Sequence, residues 1–187
     1  MGGVAAVSAA ISEPGTIRQN GTIQRIVFGE LDGKRTLRAE RFRDQCQQAG
    51  FDAVLSDNVL TPIWQKFAFL TAASSFTAMT RLPMGKLRED PDILSAITAL
   101  IREVAAVGKA SGVALPPDLA DMSMQMVMES PATALASMAV DLIRGNRLEL
   151  PWLAGKVVEL GRRHNVPTPV SNTAYAALRP YVNGTPA

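Results

Sequence analysis

The sequence predicts a mainly α-helical protein whose N-terminal segment is instead rich in β-structure. Of its 187 residues, 47% are hydrophobic and 19% are charged, a balance typical of a folded globular chain. From residue 58 onward, apolar residues recur at helical spacing, and proline and glycine interrupt the runs. Before residue 58, short β-branched runs alternate with turn residues. We therefore expect two parts, residues 1–57 and residues 58–187.

The chain is organised around residues 62–81, which read PIWQKFAFLTAASSFTAMTR. Apolar residues at Ile63, Phe67 and Leu70 fall roughly at helical spacing, and Lys66 is the only ionisable side chain between the two ends. We expect a mostly buried helix that carries one ammonium group. Burying an ammonium is costly unless the group is paired or its pKa is lowered. Lys66 is therefore either a functional residue or a lysine that extends its amine to water.

Two strands joined by tight turns are predicted near the N-terminus. Residues 4–11 form a run of small and β-branched residues, and Glu13-Pro14-Gly15 is a turn sequence. Asn20-Gly21 is the dipeptide typical of a two-residue hairpin, because both central residues of that turn take positive φ. Residues 23–29 are then expected to form the returning strand.

An amphipathic helix is expected over residues 37–49, with Leu37, Phe42 and Cys46 on its inner face. A short strand at residues 51–55 follows it. These few strands have no second layer of their own, and such sheets are marginal in isolation. The segment is therefore either the end of a larger α/β domain or a piece that pairs with another chain.

The rest of the chain predicts a series of helices separated by proline and glycine. Asp90-Pro91 begins one of them, and its apolar stripe includes Ile97, Leu100 and Val104. The other predicted helices cover residues 118–130, 133–143, 151–163 and 169–181.

Composition excludes several classes of protein. The formal net charge is +2 without a basic stripe, which argues against a nucleic-acid partner. Cys46 is the only cysteine and His164 the only histidine, so we expect neither an internal disulfide nor a metal site. No apolar run is long enough to span a bilayer, and the N-terminus lacks the basic region of a secretory signal. We therefore expect no membrane partner and a cytoplasmic location.

A second group of candidate residues lies in the C-terminal third of the chain. Asp141 is the one charge in the run ALASMAVDLI, and Ser137 is a lone hydroxyl in the same run. Glu149 follows, just before the helix start at Pro151. Glu149 is either a carboxylate that caps this helix or the acid–base partner of Lys66, and Asp141 is the competing partner.

These residues occur within segments that resemble ketopantoate reductase (2-dehydropantoate 2-reductase). GGVAAVSAAISEPGTIRQNG followed by IVFGE is similar to the strands that end the family's nucleotide-binding domain, and AGFDAVLSDNVLTPIWQKF resembles its crossing into the helical domain. SMAVDLIRGNRLELPWLAGKVVELGRRHNVPTPVSNTAY resembles the family's C-terminal signature. W-x-K-F and S-x-x-x-D-x-x-x-G-x-x-x-E occur together in the family's order. The resemblance covers nearly the whole chain.

The resemblance implies a fold for each part of the chain. Residues 58–187 would be an all-helical substrate-binding and dimerisation domain of the 6-phosphogluconate dehydrogenase C-terminal-like type. Residues 1–57 would be the β-rich end of a Rossmann-type α/β domain. The implied assembly is a homodimer.

The resemblance also implies roles for individual residues. Lys66 corresponds to the general acid that protonates the ketone oxygen, and Glu149 to the carboxylate that orients the lysine and the substrate. Ser137 corresponds to the hydroxyl that contacts the substrate carboxylate, and Ser74 and Asp141 are further substrate-binding candidates. The implied reaction is NADPH-dependent reduction of a small 2-oxo acid, 2-dehydropantoate to pantoate.

Two departures from the family's pattern matter. Leu70 and Ser74 stand where the family usually has asparagines, which favours a reductase of a larger or more apolar 2-oxo acid as an alternative. The sequence also contains no G-x-G-x-x-G loop, so no NADP-binding residue is assigned beyond Glu149 near the nicotinamide. We therefore expect a truncated form that is inactive alone. The other alternative is a non-catalytic helical module that dimerises or binds a ligand.

Overall fold

The computed structural model describes residues 1–186, apart from the side chains of Ser8 and Asn20. The chain divides into two compact units, Met1–Ile63 and the residues from Trp64 onward. The expected fold class is confirmed, because a few strands precede a helical domain.

A three-stranded sheet forms the first unit, in the order β1-β2-β3. β1 and β2 are antiparallel, and β2 and β3 are parallel. β3 pairs only with Arg25–Phe28 of β2, so most of the hairpin extends beyond the third strand. Helix α1 connects β2 to β3. The bounds are β1 Gly2–Glu13, β2 Thr16–Gly29, α1 Leu37–Gln48 and β3 Asp52–Leu55.

The hairpin turns at Pro14-Gly15, so the expected hairpin turn at Asn20-Gly21 is wrong. Gly15 takes φ +85° and reverses the chain there. Gly21, at φ +77°, lies inside β2 in an irregularity where the pairing changes register. A glycine with positive φ serves a bulge as well as a turn, and the sequence alone does not distinguish the two.

Leu37 lies off the predicted inner face of α1, and Phe42 lies at the edge of that face, 38% exposed. Leu37 is 71% exposed, whereas Ala39 is fully buried. Ala39, Phe42 and Cys46 follow helical spacing, and Leu37 lies about 200° around the helix from Ala39. The Phe42 ring packs edge-to-face on Phe28 with 4.8 Å between centroids, so α1 covers one face of the sheet.

A buried carboxylate organises the loop between β2 and α1. The Arg38 guanidinium donates to both Glu30 carboxylate oxygens, at 2.7 and 2.5 Å. The Thr36 hydroxyl donates to Glu30 Oε1 at 2.7 Å. These bonds, that from Arg38 above all, lower the pKa of Glu30 to about 2. Thr36 also caps the N-terminus of α1, so one network fixes both the loop and the helix start.

Helices make up the second unit, and the first residues of α2 belong to the first unit. α2 is the longest helix; nine of its 21 residues are buried, and Lys66 alone is exposed. The bounds are α2 Leu60–Thr80, α3 Met84–Arg88, α4 Pro91–Ala110, α5 Leu119–Glu129, α6 Ser137–Arg144, α7 Ala154–His164 and α8 Pro169–Leu178. Short 3-10 helices occur at Leu150–Trp152, called the 150–152 turn below, and at Arg179–Tyr181.

α6 begins at Ser137, four residues later than the predicted start at Thr133. The preceding segment is occupied by tertiary hydrogen bonds. The N–H of Met84 donates to the carbonyl of Ala134 at 2.8 Å, and the N–H of Gly85 donates to the carbonyl of Ala132 at 2.9 Å. The start of α3 therefore uses carbonyls that a longer α6 would have needed for itself.

α8 is capped from a distance by Glu103 of α4, which is 9% exposed. Its carboxylate accepts the N–H of Val170 at 2.8 Å and the N–H of Ser171 at 2.9 Å. The Ser171 hydroxyl also donates to it, at 2.6 Å. Thr168, the residue at the N-cap position, makes no side-chain capping bond, so Glu103 does this work instead.

Two hydrophobic clusters form the core of the helical unit. The first joins α2, α3, α4, α5 and α7. Its larger fully buried members are Leu87, Ile97, Leu100, Ile101, Val104, Val107, Val127 and Val157. The second cluster joins α2 with α6, the 150–152 turn, α7 and α8. Its members include Ala78, Met138, Ala139, Leu142, Leu148, Leu150, Leu153, Ala154, Ala174 and Leu178, with Phe67 and Leu70 packed against it.

Within residues 1–186, no helix is both long enough and apolar enough to cross a membrane.

Candidate active site

Lys66 is exposed near the start of α2, between two anchored aromatic residues. The Trp64 and Phe67 rings pack edge-to-face with 5.5 Å between centroids. Gly108 of α4 allows Trp64 to approach closely, since a Cβ at Gly108 would lie 2.8 Å from Trp64 Cε3. These contacts hold the helical turn that presents Lys66. The buried part of α2 lies beyond it, at Ala68 and from Thr71 to Ala78.

Three hydroxyl groups are buried along α2 without a hydrogen bond among the residues described. They belong to Thr71, Ser74 and Ser75, each 0% exposed. The Thr77 hydroxyl, by contrast, donates to the carbonyl of Ala73 at 2.6 Å. An unpaired buried hydroxyl is unfavourable by about 1–3 kcal/mol. Ser74, one of the predicted substrate-binding residues, therefore retains an unused donor and acceptor.

Ser137 and Asp141 lie four residues apart on α6, which places them on the same side of the helix. Ser137 is exposed and Asp141 is half-buried. The Asn146 side-chain amide donates to Asp141 Oδ1 at 3.1 Å, and the Asn146 N–H donates to the Asp141 carbonyl at 2.8 Å. Asp141 therefore stabilises the turn that ends α6, whereas Ser137 lies at the exposed start.

Glu149 is exposed immediately before the 150–152 turn. Its backbone is well anchored, because the Leu148 N–H donates to the Val182 carbonyl at 3.0 Å and the Trp152 N–H donates to the Glu149 carbonyl at 2.9 Å. The Glu149 side chain makes no capping hydrogen bond to this turn. The structure thus does not support the capping alternative for Glu149, and its carboxylate is not used for that purpose.

The predicted residues come from elements that share one hydrophobic cluster. Phe67 and Leu70 of α2 pack against the second cluster, whose members include Met138 on α6 and Leu150 in the 150–152 turn. Lys66, Ser137 and Glu149 are each next in sequence to a residue of this cluster, and Asp141 precedes Leu142. All of them belong to the second unit.

Trp152 is the residue near this group that the sequence reasoning missed. It is 66% exposed. Among the large hydrophobic side chains of the second unit, the next most exposed is Ile143, at 57%. The one sequence signal for Trp152 is its position three residues after Glu149. That spacing places the two side chains on one side of the turn only because the turn is a 3-10 helix.

The described residues hold no group of three or more His, Cys, Asp and Glu side chains that could bind a metal ion.

Solved structures with this fold include ketopantoate reductases. The PanE/ApbA family ketopantoate reductase from Ralstonia eutropha JMP134 matches with a TM-score of 0.85 and 28% identity, over 96% of this chain and 58% of that one. The family profile described as ketopantoate reductase PanE/ApbA C terminal matches residues 58–182. The chain belongs to this family, which confirms the resemblance found in the sequence.

Curated relatives agree with this assignment. The uncharacterised oxidoreductase YkpB of Bacillus subtilis (strain 168) is 26% identical over 181 residues, which are 97% of this chain and 60% of that protein. The 2-dehydropantoate 2-reductase of Pyrococcus abyssi (strain GE5 / Orsay) is 24% identical over 179 residues, 96% of this chain and 59% of that protein. The chain thus spans about three fifths of the length of these relatives.

Proposed function

We propose that this chain supplies the substrate-binding and proton-donating part of an NADPH-dependent reductase that converts 2-dehydropantoate to pantoate. The observation that carries the proposal is that Lys66 and Glu149 are exposed, firmly anchored residues on elements of one core cluster, in a chain of the ketopantoate reductase family. In this proposal residues 58–187 form the substrate-binding and dimerisation domain, and residues 1–57 belong to the end of a dinucleotide-binding domain.

Lys66 would act as the general acid. Reducing a ketone places negative charge on its oxygen, and an ammonium beside that oxygen stabilises the charge and donates the proton. The packing of Trp64 and Phe67 supports this role, because it fixes the turn that carries the lysine. Glu149, with no capping duty, would orient the ammonium by accepting a hydrogen bond from it.

Hydroxyl groups would bind the rest of the substrate. Ser137, exposed at the start of α6, would donate to the substrate carboxylate. The Ser74 hydroxyl, which is buried and has no bond among the described residues, would reach the substrate only after a movement of α2 that uncovers it. Asp141 would contribute to substrate binding indirectly, by stabilising the turn after α6 through its hydrogen bond from Asn146.

The residues present do not fit the cofactor itself. NADPH would supply a hydride, but its pyrophosphate needs a glycine-rich turn before a helix, and no G-x-G-x-x-G occurs in the sequence. Hydride delivery therefore lies outside the roles proposed for these side chains.

Leu70 favours a second candidate function, reduction of a different 2-oxo acid. It stands at a position where the family usually has an asparagine, and it packs against the second cluster. A leucine offers no hydrogen bond to a hydroxyl on the substrate, so a more apolar side chain would suit the site better.

The proposal is tested by titrating 2-dehydropantoate into the purified 187-residue chain and following amide chemical shifts. We expect Lys66→Ala to weaken binding at least about tenfold, because a charged hydrogen bond contributes about 1.5–3 kcal/mol. Glu149→Gln should have a smaller effect in the same direction. Lys109→Ala and Glu129→Gln, which alter exposed residues on α4 and α5, are the matched controls.

Equal affinity in wild type, Lys66→Ala and Lys109→Ala would contradict the assigned role of Lys66. Dimerisation without binding of any 2-oxo acid would instead favour the non-catalytic helical module.

A further inference from the structure

Trp152 exposes an indole ring beside a carboxylate to which we have assigned a role. It is 66% exposed, which is unusual for the largest apolar side chain in a folded unit. Its own turn explains this orientation, because the ring faces away from the core that the neighbouring leucines enter.

The 150–152 turn is 3-10 in its hydrogen bonding. The Trp152 N–H donates to the Glu149 carbonyl at 2.9 Å, and the Leu153 N–H donates to the Leu150 carbonyl at 3.3 Å. A 3-10 helix has three residues per turn, so side chains at positions i and i+3 lie one above the other. Glu149 and Trp152 are such a pair, and so are Leu150 and Leu153.

Burial agrees with this arrangement. Leu150 is 0% exposed and Leu153 is 6% exposed, so that pair enters the second cluster. Glu149 and Trp152 are both exposed and share the opposite side of the turn. The two buried leucines therefore fix the direction in which the carboxylate and the indole project together.

We infer that Trp152 determines substrate specificity, its indole packing against the side chain of a 2-oxo acid whose keto group lies at Glu149 and Lys66. This inference rests on the proposed function of those two residues. The ring would favour acids with an aromatic or branched apolar side chain over acids with a methyl group. An aromatic face gains most from another aromatic ring, through offset or edge-to-face stacking.

The other residues of the turn are also compatible with an apolar substrate side chain. Pro151 and the two leucines are apolar, and Leu70 of α2 packs against the same cluster as Leu150. Within the turn itself, the exposed side carries two hydrogen-bonding side chains: the Glu149 carboxylate, which would be engaged with Lys66, and the indole with its single N–H.

Two acids that differ only in a phenyl group provide the test. Pyruvate and phenylpyruvate are titrated calorimetrically into the native chain, Trp152→Ala and Trp152→Phe. Ile143→Ala is the control, because it removes a different exposed apolar side chain. We expect phenylpyruvate to bind wild type about tenfold or more tightly than pyruvate, in the range that one apolar subsite provides. Trp152→Ala should reduce that ratio to near one, while Trp152→Phe and Ile143→Ala should largely keep it.

Fluorescence gives a second readout that does not depend on the heat of binding. Trp64 and Trp152 are the only tryptophans, so the emission that wild type shows and Trp152→Phe lacks comes from Trp152. Phenylpyruvate should quench its emission at concentrations matching the calorimetric affinity, and pyruvate at the same fractional saturation should quench it less.

The outcomes separate the two proposals. A ratio near one in wild type, or an unchanged ratio in Trp152→Ala, overturns the role of Trp152 and leaves the proposed function standing. Binding of neither these acids nor 2-dehydropantoate by wild type overturns the proposed function, and the inference with it. Two results together support the proposed function and the role of Trp152. Lys66→Ala binds neither pyruvate nor phenylpyruvate, and the preference for phenylpyruvate is lost only in Trp152→Ala.

Discussion

Glu103 uses its carboxylate to hold two helices together. Two backbone N–H groups and one hydroxyl at the start of α8 donate to its oxygens, although the glutamate belongs to α4. The partners lie 67 and 68 residues away in sequence, so no local pattern identifies them. In sequence this glutamate is simply one charge within an apolar stripe.

We predict that Glu103→Gln lowers the free energy of unfolding by about 1–3 kcal/mol. The glutamine amide group presents N–H donors where the carboxylate accepted them, so at least one donor of α8 remains buried without an acceptor. Urea unfolding followed by circular dichroism measures the change. Glu129→Gln, at an exposed site, should remain within about 0.5 kcal/mol of wild type. Equal unfolding midpoints for Glu103→Gln and wild type would show that α8 does not need this cap.

Glu30 gives the first unit a defined acid sensitivity. Its pKa is lowered from 4.5 to about 2, mainly by the hydrogen bonds from Arg38 and then by that from Thr36. A lowered pKa in the folded state stabilises it above the unfolded value, and this contribution is lost as pH falls from 4.5 toward 2.

We predict that Arg38→Met raises the pKa of Glu30 toward its usual value and removes that pH dependence. Carbon-detected NMR titration of the Glu30 carboxyl measures the pKa directly. Thr36→Val should move it in the same direction by less, because Thr36 is the smaller cause. A Glu30 pKa that remains near 2 in Arg38→Met would contradict the network as described.

At the scale of elements, the end of α2 contains a residue in an unfavourable conformation. Arg81 takes φ +60°, in the left-handed region, directly after the last residue of the helix. For an L-residue with a long side chain this conformation costs about 1–2 kcal/mol, whereas glycine adopts it freely.

We predict that Arg81→Gly raises the free energy of unfolding by about 0.5–1 kcal/mol, the net of relieved strain and greater freedom of the unfolded chain. Arg81→Ala is the matched control, because it removes the same side chain without relieving the dihedral angle. Thermal unfolding of both variants measures the difference. Asn165, at φ +54°, should gain less from glycine, because asparagine tolerates this region.

Elements were predictable from the sequence where local chemistry determines them. The apolar stripe and the Asp90 cap of α4 are both present, with the Asp90 carboxylate accepting the N–H groups of Asp92 and Ile93. The late start of α6 could not be predicted, because carbonyls before it are bonded to the start of α3. The hairpin turn predicted at Asn20-Gly21 is wrong for a related reason. Pairing with β1 decides whether a glycine with positive φ reverses the chain or forms a bulge within a strand.

At the scale of the whole molecule, sequence motifs located the candidate residues but not their surroundings. The W-x-K-F motif identified Lys66, and the structure adds that Trp64 packs over Gly108. The orientation shared by Glu149 and Trp152 depends on a 3-10 turn, which sequence periodicity had predicted as the start of an α-helix. Short turns of this kind depend on tertiary anchoring, here by Leu150 and Leu153.

We predict that the 187-residue chain alone does not bind NADPH tightly and does not reduce 2-oxo acids. A dinucleotide needs a glycine turn that lets the backbone approach the pyrophosphate, and the sequence contains no such motif. Isothermal titration with NADPH should give no saturable heat in the micromolar range. Micromolar binding accompanied by turnover of 2-dehydropantoate would contradict this and would require another nucleotide site.

We also predict that the chain forms a homodimer. Apolar side chains remain exposed on the helical unit, among them Leu82 at 43%, Met128 at 52% and Ile143 at 57%. Exposed apolar surface tends to be covered by association. Sedimentation velocity at micromolar concentration should give twice the mass of one chain, and a monomer throughout that range would count against dimerisation.

Because β3 is short, the two ends of the β1–β2 hairpin should lose their hydrogen bonds at different rates. β3 supports only Arg25–Phe28 of β2, so the hairpin beyond that point is held by its two strands alone. We expect amide hydrogens near the tip, such as that of Ile17, to exchange through brief fraying, and those of Arg25–Phe28, which also pair with β3, to exchange more slowly. Deuterium therefore enters the sheet from the turn at Pro14-Gly15 and reaches the end beside α1 last.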